Sequence, residues 1–71
     1  MLDIAKIIEN RRLELDMTYR QIEAISGISD TEIYHIEKKG TEPRFYTAEA
    51  ILSAMGLRLA VLPSEGAKNE A

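Results

Sequence analysis

At 71 residues with no cysteine, the chain has room for one domain with a modest core, and it excludes disulfides and thiolate metal sites. Its net charge of -3 lacks the basic excess that marks many nucleic-acid binders, while its 45% apolar content is ordinary for a globular domain. No apolar run approaches a membrane span, and Asp3 and Lys6 interrupt the start with no apolar core after them, so no signal peptide and a cytoplasmic protein are expected.

From Leu2 to Leu15 the residues Ile4, Ile7, Ile8 and Leu15 share one helical face, with Leu2 and Leu13 off the stripe. This predicts a first helix, interrupted by Asp16 and Met17. Thr18 is placed to cap a second, short helix from Tyr19 to Ser26, with Ile22 and Ile25 directed inward. Gly27 follows where a left-handed residue commonly ends a helix. Ser29 and Glu32 have the spacing of a capping box, so a third helix starts at Ser29. Ile33 and Ile36 form its buried edge, and Lys38, Lys39 and Gly40 close it. Pro43 suits the entry to a fourth helix, in which Phe45, Ala48, Ile51, Leu52 and Met55 repeat at helical spacing until Gly56.

Leu57 to Leu62 differ in character. Leu57, Leu59 and Val61 alternate with Arg58 and Ala60, and Gly56 and Pro63 bound the run, which is the pattern of a strand. A lone strand leaves its backbone groups unpaired, so its simplest partner is the same strand, Leu57, Arg58, Leu59, Ala60, Val61 and Leu62, of a second copy about a two-fold axis. The expected organisation is therefore a domain over 1–56, a dimerisation strand over 57–62 and a flexible polar tail over 63–71.

The informative stretch is Thr18 to Gly40, two short helices joined by a tight turn at Gly27. Ile22, Ile28, Ile33 and Ile36 sit where these helices must pack on each other. The outer face of the second of them is left free to enter a DNA major groove, which is about 12 Å wide and admits one helix. The run Asn10-Arg11-Arg12, the pair Met17-Thr18, the turn Gly27-Ile28-Ser29, then Ile33, Ile36-Glu37, Pro43 and Met55-Gly56-Leu57 occur in order. Through these elements, from about Ile4 to Leu57, the sequence resembles the Xre, or Cro and phage-repressor, type of helix-turn-helix protein.

The resemblance implies an all-α, lambda-repressor-like domain of four to five helices. Its layout is most similar to HipB-like antitoxins, whose short C-terminal β-strand pairs across a homodimer. Carried over position by position, it implies that Asp30, Thr31, Tyr34 and His35 face base edges. Tyr19, Lys38, Lys39, Thr41 and Arg44 would follow the phosphate backbone. Arg12 and Glu37 would form a partly buried ion pair between the first and third helices. Two positions depart from the family pattern. Glu23 replaces a usual small alanine, which predicts looser helix packing, and Lys39 replaces a usual glycine, which predicts a strained left-handed lysine.

Charge works against this reading. Between Arg11 and Arg44 the bases Arg11, Arg12, Arg20, Lys38, Lys39 and Arg44 are outnumbered by Glu14, Asp16, Glu23, Asp30, Glu32, Glu37 and Glu42. DNA binding then depends on where the charges lie, with Arg11, Lys38, Lys39 and Arg44 on one side as the phosphate contacts. Glu32 is explained by the dipole at a helix start, and Asp30 either by the same effect or as an acceptor from cytosine N4. His35 is a solvated helical histidine or a groove-facing donor, and its position permits both. A lone histidine without cysteine makes no metal site, and no nucleophile, base and orienter are arranged together, so neither an enzyme nor a cofactor is expected. The functions that remain are a repressor acting as a homodimer on a palindromic DNA operator, an antitoxin that also holds a toxin protein, and an interaction module with little DNA binding.

Overall fold

The computed structural model describes residues 3–63, and the chain forms four α-helices within them. They are α1 (Ile4–Glu14), α2 (Tyr19–Ser26), α3 (Asp30–Lys38) and α4 (Phe45–Ser53). Leu2 and the tail expected beyond Pro63 lie outside the described residues.

The first three helices begin on side chains that accept from an otherwise unpartnered amide. Asp3 accepts from the Lys6 N–H, Thr18 from that of Gln21 and Ser29 from that of Glu32, each at 3.1 Å. At α2 the box is complete, because the Thr18 N–H donates to Gln21 Oε1 at 2.9 Å. Gly27 ends α2 with φ 80°, where the missing Cβ removes the steric cost of a left-handed turn.

Ile8, Ile22, Ile33, Ile36, Ile51, Leu52 and Met55 form one core cluster, each no more than 2% exposed. Fully burying such a side chain contributes about 1.5–3 kcal/mol, so this cluster outweighs the surface ion pairs as the source of stability. α3 and α4 each pack on both α1 and α2. Only the Ile33 and Ile36 edge of α3 is drawn into the core, and its opposite face stays open.

Several apolar residues stand elsewhere than their spacing suggests. α1 ends at Glu14 and the chain turns through Asp16 at φ 56°, which takes Leu15 off the buried face. Ile25 is 64% exposed, and Ile22 is the buried residue of α2; Ser26 is half-buried, and its Oγ accepts from the Ile28 N–H at 3.0 Å. Phe45 is exposed at the first position of α4, whose buried face is Thr47, Ala48, Ile51 and Leu52. Lys39 is not left-handed: it has φ -110° and ψ 0°, and Gly40 takes the positive φ of 76°. The turn slips one residue along because glycine adopts that conformation without strain.

Leu57–Leu62 form no strand among the described residues. A strand is defined by its ladder, and every other regular element described is a helix, so the described residues offer the segment nothing to pair with. The Leu57 N–H instead donates to the Leu52 carbonyl at 2.9 Å. Leu57 and Leu59 pack against the core, while Arg58, Ala60, Val61 and Leu62 are exposed.

Candidate nucleic-acid interface

α2, the Gly27 turn and α3 hold the open face of α3 in place. Ile33 and Ile36 are fully buried and the Glu37 side chain is turned inward beside them, so on a helix of 3.6 residues per turn the remaining side chains of α3 are left to the outer face. Thr31, Glu32, Tyr34, His35, Lys38 and Lys39 are accordingly exposed. Thr41 and Arg44 continue this surface as exposed residues of the loop from α3 to α4.

Behind this face lies a polar cluster joining three helices. Arg12 of α1 meets Glu37 of α3 through two parallel hydrogen bonds, Nε to Oε2 at 2.8 Å and Nη2 to Oε1 at 3.0 Å. The Glu37 side chain is 0% exposed and that of Arg12 14%, so the pair is shielded from water. Arg12 Nη1 also donates to the Met17 carbonyl at 3.3 Å, and the Tyr19 hydroxyl of α2 donates to Glu37 Oε1 at 3.0 Å. The Arg12 guanidinium lies 4.5 Å from the centre of the Tyr19 ring. Hydrogen bonding to Glu37 raises the Arg12 pKa further above its ordinary value. Burial, followed by the hydrogen bond to Glu37, pushes the Tyr19 phenol up.

The residues expected to contact DNA divide by how committed they are within the fold. Thr31, Tyr34, His35, Lys39, Thr41 and Arg44 are exposed, and Lys39 and Arg44 have no ion-pair partner among the described residues. Asp30 is half-buried, with Arg20 at 3.5 Å and the Thr31 hydroxyl donating to it at 3.4 Å. Lys38 is paired with Glu9 of α1. That hydrogen bond, reinforced by the opposite charge, lowers the Glu9 pKa and raises that of Lys38. Arg11 points to another part of the molecule, where its Nε donates to the Met55 carbonyl at 2.9 Å and its Nη1 to Glu14 at 3.0 Å.

Sequence reasoning missed the Glu9–Lys38 pair, the Arg20–Asp30 pair and the Tyr19–Glu37 bond. The first joins residues 29 positions apart, and no local spacing announces such a contact. Tyr19 carried a weak signal: a large aromatic at the first position of a short helix must rest on something.

A helix-turn-helix family model matches residues 8–62 of the chain. No curated protein and no solved structure matches it.

Proposed function

The chain belongs to the Xre-type helix-turn-helix family, a DNA-binding and non-enzymatic one, and from that premise we propose that it is a sequence-specific transcriptional repressor acting as a homodimer on a palindromic operator. The observation that carries this reading is the open face of α3, backed by a core that uses only Ile33 and Ile36 of that helix. Thr31, Tyr34 and His35 are proposed to meet base edges. Asp30 would accept from cytosine N4 once Arg20 turns to a phosphate.

Lys39, Thr41 and Arg44 are the proposed phosphate contacts, joined by Lys38 when it exchanges Glu9 for DNA. Arg11 and Tyr19 are better read as braces than as phosphate contacts. The one hydroxyl proton of Tyr19 goes to Glu37, and the Arg11 side chain is tied to Met55 and Glu14.

Dimerisation is assigned to Leu57–Leu62. Val61 and Leu62 are 82% and 80% exposed, an apolar ending that a two-fold mate would cover by strand pairing. Val61→Lys should leave the helical body folded but shift sedimentation to the monomer. Selection from a random pool of duplexes tests the whole reading. Two half-sites about 10 base pairs apart are expected, and failure to enrich any sequence at low salt sinks the proposal. An antitoxin function is a second reading, favoured by the further exposed rings of Phe45 and Tyr46, which offer a protein partner more apolar surface. A stoichiometric complex with the product of a neighbouring gene, and suppression of that protein's toxicity on co-expression, would distinguish it.

A further inference from the structure

Tyr19 of α2 and Tyr34 of α3 meet edge to face, with ring centres 5.9 Å apart and planes at 81°. Tyr19 is itself held on two further sides, by the bond from its hydroxyl to Glu37 and by the Arg12 guanidinium over its ring. The stack is therefore anchored on a shielded ion pair at one end. At the other end Tyr34, 40% exposed, stands on the open face of α3. A tyrosine on an open helix face has more than one staggered rotamer available, and a ring fixed against its flank favours one of them.

From this geometry we propose that Tyr19 is a positioning residue for DNA readout: it touches no base, and it fixes the orientation in which Tyr34 meets the base edges. The inference rests on the DNA-reading role of α3 proposed above. It gives Arg12 a role beyond its ion pair, because the guanidinium over the Tyr19 ring helps to hold that ring and so, indirectly, the outward-facing side chain.

A double-mutant cycle tests the idea. Tyr19→Leu removes the edge-to-face partner, Tyr34→Ala removes the reader, and Tyr19→Phe keeps the ring while deleting only the bond to Glu37. Each purified variant is checked for helicity by circular dichroism. Preference is read as the ratio of affinities for the selected duplex and for duplexes altered at one base pair.

Tyr19→Leu should lower that ratio about two- to tenfold, the worth of one aromatic pair, at the base pair that Tyr34→Ala also affects. The double variant should lose no more than Tyr34→Ala alone. Tyr19→Phe should keep the preference although it melts earlier. Additive losses, or an equal loss of affinity on every duplex, would reduce Tyr19 to a structural brace and overturn the proposal. Should Tyr19→Leu fail to fold, Tyr19→Met, which fills similar space without a ring, carries the same cycle with the same expected and overturning results. If the unaltered protein selects no sequence, the DNA-reading premise itself fails and the positioning role falls with it. That outcome is told apart because the unaltered protein alone reveals it.

Discussion

Glu37 is the residue on which most of the polar architecture converges, since Arg12 and Tyr19 both donate to its carboxylate. Taking away its charge leaves the Arg12 guanidinium shielded and without a counter-ion, a situation that costs about 3 kcal/mol. Glu37→Gln is expected to lower the melting temperature sharply. It should also bring the Tyr19 phenol back toward the ordinary 10.0, though only part of the way, because burial is the larger cause and persists. Following phenolate absorbance through an alkaline titration checks this; an unmoved Tyr19 titration would show that Glu37 does not act on it. Asp16 poses the opposite problem. It holds φ 56°, a left-handed conformation that a residue with a Cβ reaches at a cost of about 1–2 kcal/mol. Asp16→Gly should therefore stabilise the domain by about 0.5–1 kcal/mol, the strain relieved less the added freedom of the unfolded chain. Thermal denaturation measures it, and a fall in melting temperature would count against strain at this turn.

At the scale of elements, α3 serves two surfaces with nine residues, one facing the core and one facing outward. Its core edge is thin, carried by Ile33 and Ile36 alone. Ile33→Ala leaves a cavity where α3 meets its neighbours, for a loss of about 2–5 kcal/mol. A domain of this size without disulfides commonly holds only about 3–5 kcal/mol in total. The variant should thus be largely unfolded at ordinary temperature, as read by the ellipticity of the helices. Retained helicity with a small shift in melting would mean that the fold draws its stability from elsewhere in the core. The Gly27 turn sets the angle between α2 and α3 and so decides how far the open face of α3 projects.

Over the whole molecule, charge is spread so that bases and acids neutralise each other across helix boundaries: Arg12 with Glu37, Lys38 with Glu9, Arg20 with Asp30 and Arg58 with Glu49. An acidic net charge of -3 then coexists with Lys39 and Arg44 beside α3, which have no ion-pair partner among the described residues. Electrostatic attraction to DNA should be modest, with few phosphates neutralised and a shallow salt dependence. The Glu9–Lys38 pair gives the domain a pH signature. The lowered Glu9 stabilises the fold above its unfolded value of 4.5 and loses that contribution as pH falls through the folded value. The raised Lys38 contributes below 10.5 and loses its share as pH rises through its folded value. Glu9→Gln should accordingly melt earlier than the unaltered protein between these limits, and the difference should shrink on acidification below 4.5. A difference that persists unchanged in acid would mean that the pair is not its source.

The helices, their caps and most of the core were legible in the sequence because they obey short-range rules. A cap joins residues three apart, and Thr18 and Ser29 make their bonds at that spacing. A buried stripe recurs every three or four positions, which marks Ile33, Ile36, Ile51 and Leu52. The same periodicity could not say how each helix is rotated against its neighbours, so Ile25 and Phe45 were expected inside and stand outside. Nor could it show that Gly40, not Lys39, would turn the chain after α3. At the candidate site the sequence marked the open face of α3, but not which of its charges were already engaged. Family resemblance alone suggested that Arg12 meets Glu37, and only the packed structure shows that Tyr19 joins them. The acidic balance was fixed by composition, whereas the pairing that leaves Lys39 and Arg44 without an ion-pair partner among the described residues was decided by packing. That pairing depends on docking, because an ion pair between helices forms only where helix rotation brings two side chains within a few ångströms, a relation that spacing along the chain does not encode.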